Sequence, residues 1–227
     1  MRAAVVVLGD IGRSPRMMNH AVSLANAGFQ VSLIGYAESA PPIAVRENKN
    51  ITIRAIPPPW KLPRKPKIAY ILLAPIAVLS RTIALLLTIL QGGSKGIILV
   101  QNPPSIPTLL VARLSSWLID GSALVIDWHN YGYTIMQTTG APGILITLAS
   151  IFEKVLGPMA DAHLCVSNAM REDLATFWGI KDATVCVCVC VRLCVCACVG
   201  VCDAMHIFIY IHAYNICIYV YNTYRCT

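Results

Sequence analysis

Acidic residues are scarce in this chain. Eleven Asp and Glu stand against eighteen Lys and Arg in 227 residues, a net charge of +7. That balance suits an anionic membrane surface, a phosphate-bearing ligand or nucleic acid. Charged residues of both signs amount to 13%, against 56% hydrophobic. Such a chain is too apolar to be disordered and lies on the greasy side for a soluble enzyme. Aromatic residues are few, at 7%, and are not interleaved with the basic ones as a nucleic-acid reader needs, so nucleic acid is disfavoured. Cysteine is almost missing from the first 181 residues. Cys165 stands alone there, and the other nine lie between Cys186 and Cys226, which marks a break in composition near Lys181. No apolar stretch with a cleavage site precedes the first apolar run, so no secretory signal is expected. A G-x-G-x-x-G fingerprint is also lacking. The nearest acid to the end of the second strand is Glu38, which disfavours a dinucleotide-dependent oxidoreductase.

What is present is a sequence of apolar runs that end in polar clusters. Ala123 to Ile126 ends in Asp127-Trp128-His129-Asn130-Tyr131. A buried parallel strand ends this way when it delivers polar side chains to a crevice at the carboxyl edge of a sheet. Ala3 to Leu8 is a second such run, followed by Gly9-Asp10-Ile11-Gly12-Arg13-Ser14-Pro15. Ser14 is placed to cap a helix with Pro15 at its first position, ending at Gly28. Glycines at such a turn let the backbone approach a ligand, the helix start favours an anion, and Arg13 adds a cation. Gly96 to Val100 is a third run and ends at Gln101-Asn102-Pro103-Pro104. Further strands are expected at 29–36, 51–56 and 162–166, with helices at 107–119, 144–156 and from Ser167 or Asn168 to Trp178. Glu172 and Asp173 are expected in the first turn of that last helix. Strands alternate with helices across residues 3–181, which predicts an α/β, doubly wound parallel sheet with the three polar clusters on one edge.

One stretch departs from this rhythm. Trp60-Lys61-Leu62-Pro63-Arg64-Lys65-Pro66-Lys67 is basic and leads into residues 68–91, where Arg81 is the one charge. The length allows a membrane span, but Arg81 and Pro75 argue against a simple one. On a helix, Tyr70, Ala74, Ala77, Arg81, Ala84 and Thr88 share a face. Such a helix would pack its small face on the domain and show Ile and Leu to lipid, with Trp60 and the preceding cations among the head groups. The alternative is a helix buried on the sheet.

From Asp182 the chain changes character. Cys and Val alternate, and Ile-Tyr, Ile-His and Val-Tyr pairs follow. Cys-x-Cys pairs bind soft metals or form disulfides. The regularity also matches two simple nucleotide repeats read in triplets. Residues 182–227 are therefore expected to be a low-complexity tail, translated non-coding repeat rather than a second domain.

Taken together, GDIGRSPRMMNHAVSLA, LVQNPPSIPTLL, LVIDWHNYGYTIM and HLCVSNAMREDLATFWGI resemble the amino-terminal half of the chitobiosyldiphosphodolichol beta-mannosyltransferases, in order, over residues 3–181. The resemblance implies a GT-B glycosyltransferase with two Rossmann-like domains. It also implies transfer of the first mannose from GDP-mannose to a dolichol-diphosphate chitobiose, at the cytosolic face of the endoplasmic reticulum membrane, for protein N-glycosylation. No cofactor or metal is implied beyond the donor substrate. In GT-B enzymes the amino-terminal domain largely handles the acceptor, so residues 1–181 would form the acceptor side. The resemblance then casts His129 as the group that polarises or deprotonates the acceptor hydroxyl, with Asp127 or Asn130 orienting its ring. Gly9, Asp10, Gly12, Arg13 and Ser14 would meet the diphosphate, and Asn102, Asn130, Tyr131, Asn168 and Glu172 the rest of the acceptor. The family's amino-terminal anchor and donor domain find no counterpart in these residues, which leads to the expectation of an inactive chain. A non-enzymatic, membrane-associated acceptor-binding module, in company with other glycosylation enzymes, is the competing reading.

Overall fold

In the computed structural model the described residues are 1–57, 67–92, 96–119, 122–185, 207–212 and 215–220. The first strand, β1 (Arg2–Asp10), leads through a turn of 3-10 helix (Ile11–Arg13) into α1 (Pro15–Asn26). Next come β2 (Gln30–Tyr36), the single turn α2 (Ile43–Arg46) and β3 (Ile51–Ala55). The long helix α3 (Lys67–Gly92) crosses back to β4 (Gly96–Asn102). Then follow α4 (Thr108–Leu118), β5 (Ala123–Trp128), α5 (Gly132–Thr138) and α6 (Gly143–Leu156). The unit ends with β6 (Ala162–Cys165), α7 (Asn168–Trp178) and β7 (Ala183–Val185).

The seven strands form one sheet in the order β3-β2-β1-β4-β5-β6-β7, and every neighbouring pair is parallel. The α/β architecture is the one expected. β1 and β4 are continuous Val, Ile, Leu and Ala because both faces of a central parallel strand are covered. One face packs Val5, Leu33, Leu99 and Val125 with Met17, Ala21 and Leu24 of α1. The other packs Val6, Val100, Ile126 and Trp128 with Leu85 and Ile89 of α3, Leu109 and Ala112 of α4, and Leu174 and Trp178 of α7. The register pairs Gln101 with Asp127, Asn102 with Trp128, and Trp128 with Cys165. The polar strand ends therefore line up along one edge.

Four local expectations are corrected. α3 buries Ala77, Leu85 and Ile89, with Arg81 half-buried between them, so Ala84 and Thr88 fall at the margin rather than at the centre of the packed face. Burying two large aliphatic side chains outweighs the closer approach a small-residue stripe would allow. Tyr70, Ala74 and residues 58–66 fall outside what is described of side chain or backbone. The sheet also runs past the composition break at Lys181, since Ala183, Thr184 and Val185 pair with His163, Leu164 and Cys165. Glu172 and Asp173 lie beyond the first turn of α7, because Ser167 is the cap and accepts from Met170 N. Ser14 does not cap α1 with its side chain. Its hydroxyl donates to Asp10 O at 3.0 Å. In the tail, Ile207–His212 (β8) and Asn215–Val220 (β9) pair as an antiparallel hairpin. The Cys-Val alternation of residues 186–206 lies outside the described residues.

Candidate glycosyl-acceptor edge

The turn after β1 is tied to the loop after β2. Asp10 accepts from the backbone N–H groups of Gly12, Glu38 and Ser39 at 3.3, 3.2 and 3.0 Å. Hydrogen bonds from the Ser39 hydroxyl and backbone hold its carboxyl below the ordinary carboxylate value. A methyl group on Gly12 would lie 2.6 Å from Ser39 O. That glycine therefore serves the close packing of two loops at the edge. Of the residues expected to meet a diphosphate, Asp10, Gly12 and Ser14 thus shape the turn. Arg13 stands exposed above it, 3.5 Å from Asp10 Oδ2, and a methyl group on Gly9 would meet only Val7, at an ordinary 3.6 Å.

Asp127, expected as a partner of His129, is withdrawn from the edge. Its side chain is fully buried on the α1 side of the sheet. Arg16 Nε and Nη2 each donate to it at 2.6 Å. His20 Nε2 lies 3.2 Å from Oδ2. An ionised carboxylate only accepts, so His20 carries its proton on Nε2. Burial by itself would raise Asp127, but the hydrogen bonds from His20 and Arg16 outweigh it and hold the carboxyl far below its usual range. Such a group does not accept a proton near neutrality, and its side chain has no exposed surface.

His129 follows β5 and is half-buried. Its backbone N–H donates to Asn102 O at 2.9 Å, which clamps the ends of β4 and β5 together. Neither Asp127 nor the exposed Asn130 hydrogen-bonds its ring. Burial pushes the imidazole below its ordinary value. The Asp127 carboxylate opposes that shift, and Arg16 and His20 add to it. The ring is neutral at physiological pH and able to take up a proton.

Beneath the loop sits an acid that the sequence reading did not single out. Glu153 of α6 is fully buried. Its Oε1 accepts from Asn102 Nδ2 at 3.0 Å and from Gly132 N at 2.7 Å. Asn102 also donates to Asn130 O at 3.3 Å. Asn102 thus joins two strand ends and a helix through its Nδ2, while its Oδ1 is buried with no hydrogen-bond partner among the described residues. The signal for Glu153 was available: it is the one acid of a largely apolar helix. The signal for Arg16 and His20 was weaker. They sit four residues apart on the inward face of α1.

An aromatic group closes the side of the edge. Tyr131 stacks on Trp178 at 5.2 Å and on Tyr133 at 5.7 Å, and Trp128 meets Trp178 edge-on at 5.3 Å. Burial raises the Tyr131 phenol, and the Asp173 carboxylate adds to the rise. Asp173, rather than Glu172, is therefore the α7 acid close to the rings. Asn168 and Glu172 are exposed at and near the start of α7. Trp128 Nε1 donates to His163 Nδ1 at 3.2 Å, and burial pushes His163 down to about 4. The edge therefore offers a neutral imidazole, an exposed guanidinium, a wall of aromatic faces and exposed amides.

Comparison with known proteins identifies the family. A mouse (Mus musculus) chitobiosyldiphosphodolichol beta-mannosyltransferase is 40% identical over 185 residues, 80% of this chain and 37% of that protein. Its human (Homo sapiens) counterpart is 41% identical over 181 residues, 79% of this chain and 38% of that protein. An Arabidopsis thaliana protein named UDP-glycosyltransferase TURAN is 42% identical over 184 residues, 79% of this chain and 39% of that protein. The chain thus spans less than two fifths of the length of these relatives. Among solved structures, a sucrose-phosphate synthase from Thermosynechococcus elongatus superposes with a TM-score of 0.54 at 13% identity, over 82% of this chain and 47% of that one. That likeness places the sheet among Rossmann-like GT-B domains. Residues 12–189 match the glycosyl transferase 4-like domain, and the chain belongs to that family.

Proposed function

We propose that these residues form the acceptor side of a beta-mannosyltransferase of the lipid-linked oligosaccharide pathway. It would add the first mannose from GDP-mannose to chitobiosyl-diphosphodolichol, at the cytosolic face of the endoplasmic reticulum, for protein N-glycosylation. The observation that carries the reading is identity of about 40% to relatives of that name across the whole parallel unit. The edge supplies matching chemistry. A beta product from an alpha-linked donor requires inversion, in which the acceptor hydroxyl attacks the anomeric carbon as the nucleotide leaves with the bonding pair. The hydroxyl proton needs an acceptor, and His129 is neutral and half-buried at the strand end. Arg13 stands where it can meet the diphosphate, and the Tyr131 and Tyr133 faces flank the sugar path. The sugar-nucleotide side belongs to the part of the relatives that this chain does not span.

The test is equilibrium binding of a short-prenyl chitobiosyl diphosphate to the purified chain, with chitobiose and prenyl diphosphate as separate competitors. Saturable binding that needs both the sugar and the diphosphate, and that weakens in Arg13→Ala, supports the reading. Absence of binding overturns it. Transfer assays with GDP-mannose beside UDP-sugars, run on a protein that also carries the sugar-nucleotide side, decide the donor, which the name of the Arabidopsis relative leaves open.

A further inference from the structure

Among the described residues two acids are fully buried, Asp127 and Glu153. Asp127 is matched by Arg16 and His20. Glu153 has no such match. No Lys, Arg or His among the described residues forms an ion pair with it. Its partners, Asn102 Nδ2 and Gly132 N, are neutral donors, and both take Oε1. Oε2 is buried without a hydrogen-bond partner among the described residues, and so is Oδ1 of Asn102. An ionised carboxyl group sealed from water needs a counter-charge, and idle buried oxygens need a donor or a cation.

The two idle oxygens are neighbours. They belong to an amide and a carboxyl group already joined by the 3.0 Å bond from Nδ2 to Oε1. A carboxylate oxygen and an amide oxygen both accept only, so neither satisfies the other. A third oxygen is close. A methyl group on Gly132 would lie 2.8 Å from Glu153 Oε1 and 3.0 Å from Ser105 Oγ. The Ser105 hydroxyl, on a residue only 4% exposed, thus faces the carboxyl group across a residue that has no side chain. The end of β4, the turn before α4, the start of α5 and the middle of α6 each bring one group to this spot.

We infer that Glu153, Asn102 and Ser105 form a site for one alkali cation, sodium or potassium, beneath the loop after β5. Carboxylate, amide and hydroxyl oxygens, with no sulfur or imidazole among them, select a hard cation. One carboxylate is balanced by one positive charge, and a closed site has no place for the waters that magnesium keeps. A water molecule in the same position would donate to both idle oxygens but leave the charge unmatched. The cation ties the end of β4 to α6 under the loop that carries Asn130 and Tyr131, so loading stiffens that loop. The inference goes beyond the proposed function and does not rest on it, since it concerns ion binding and stability alone.

The test is thermal melting of the purified chain in choline, sodium, potassium and magnesium chloride at one ionic strength. The expected result is a saturable rise of about 2–4 °C in sodium or potassium over choline. Glu153→Gln removes the charge, keeps an acceptor for Asn102 Nδ2 and Gly132 N, and supplies a donor to Asn102 Oδ1. It should melt at one temperature in choline and in the alkali salts, no lower than the wild type in choline. Ser105→Ala should keep the rise but need more cation to reach half of it. Thallium(I), which matches potassium in charge and closely in size, should give a bound NMR signal that potassium displaces and that Glu153→Gln lacks. Equal melting of the wild type in choline and alkali salts, a rise that Glu153→Gln keeps, a response to magnesium alone, or absence of the thallium signal would overturn the inference. Stability that rises on acidification in choline and ignores the cations would assign the neutralising charge to a proton, and sinks it as well. Should circular dichroism show Glu153→Gln unfolded, the Ser105→Ala titration decides, and an unmoved midpoint counts against the site.

Discussion

Asp127 and His129 sit two residues apart at the end of β5, yet they do different work. Asp127 is a buried ion held by Arg16 and His20, and His129 is the neutral ring at the mouth. Asp127→Asn should therefore destabilise the protein by about 3–5 kcal/mol, because it leaves a buried guanidinium without its counter-ion. Chemical denaturation would show this as a lower midpoint. His129→Gln should leave stability and acceptor binding within a few fold but, in a protein that also carries the sugar-nucleotide side, slow the proposed transfer by roughly 10²–10⁴. The acid limb of the wild-type rate profile should lie below the ordinary histidine value, since burial depresses this ring and the base is lost only when it protonates. His163 gives a stability signature instead. Its folded value is about 4, so from about pH 6.5 downward the unfolded chain binds a proton that the folded chain refuses. Stability present above pH 6.5 should be lost progressively towards pH 4, by ~3 kcal/mol in all. His163→Asn, which keeps an acceptor for Trp128, should flatten that slope in melts recorded across the window.

At the scale of elements, the edge is assembled by loops that hold one another. Glu153 on α6 fixes the loop after β5 through Gly132 and the end of β4 through Asn102. Glu153→Ala should cost about 1–3 kcal/mol, since two buried donors lose their acceptor. It should also weaken acceptor binding by loosening both strand ends, whereas Glu153→Gln keeps an acceptor oxygen and should retain most of both. Gly12→Ala should be worse tolerated than Gly9→Ala, because only the former drives a methyl group into the Ser39 backbone. Parallel thermal melts of the two variants would check this. The helices and strands that bound the edge were legible from apolar runs and their capping residues. α2 and α5 were not, since four- and seven-residue helices leave too few turns to impose a period.

At the scale of the whole chain, the parallel unit ends in β7 rather than at the composition break. Tryptic peptides from the source tissue should settle the tail. The peptide Asp182–Arg192 contains β7 and crosses into the Cys-Val repeat. If the repeat is non-coding, this peptide should be missing and peptides of another sequence should follow Lys181. Its detection would establish the tail as expressed protein. The sequence by itself determined the α/β class, because both faces of each central strand had to be apolar. It determined the three polar strand ends, because polar side chains survive only where a buried strand emerges. It also carried the family resemblance, in the residues of those ends. Only the tertiary structure decided which polar residues remain available. Arg16 and His20 lie more than a hundred positions from Asp127, and no local pattern announces that they neutralise it. Only packing, too, showed that α4 and α6 stand beside α3 with their apolar stripes outward. A stripe in a sequence says that a face is apolar, but which of its faces a helix buries depends on what the neighbouring helices already cover.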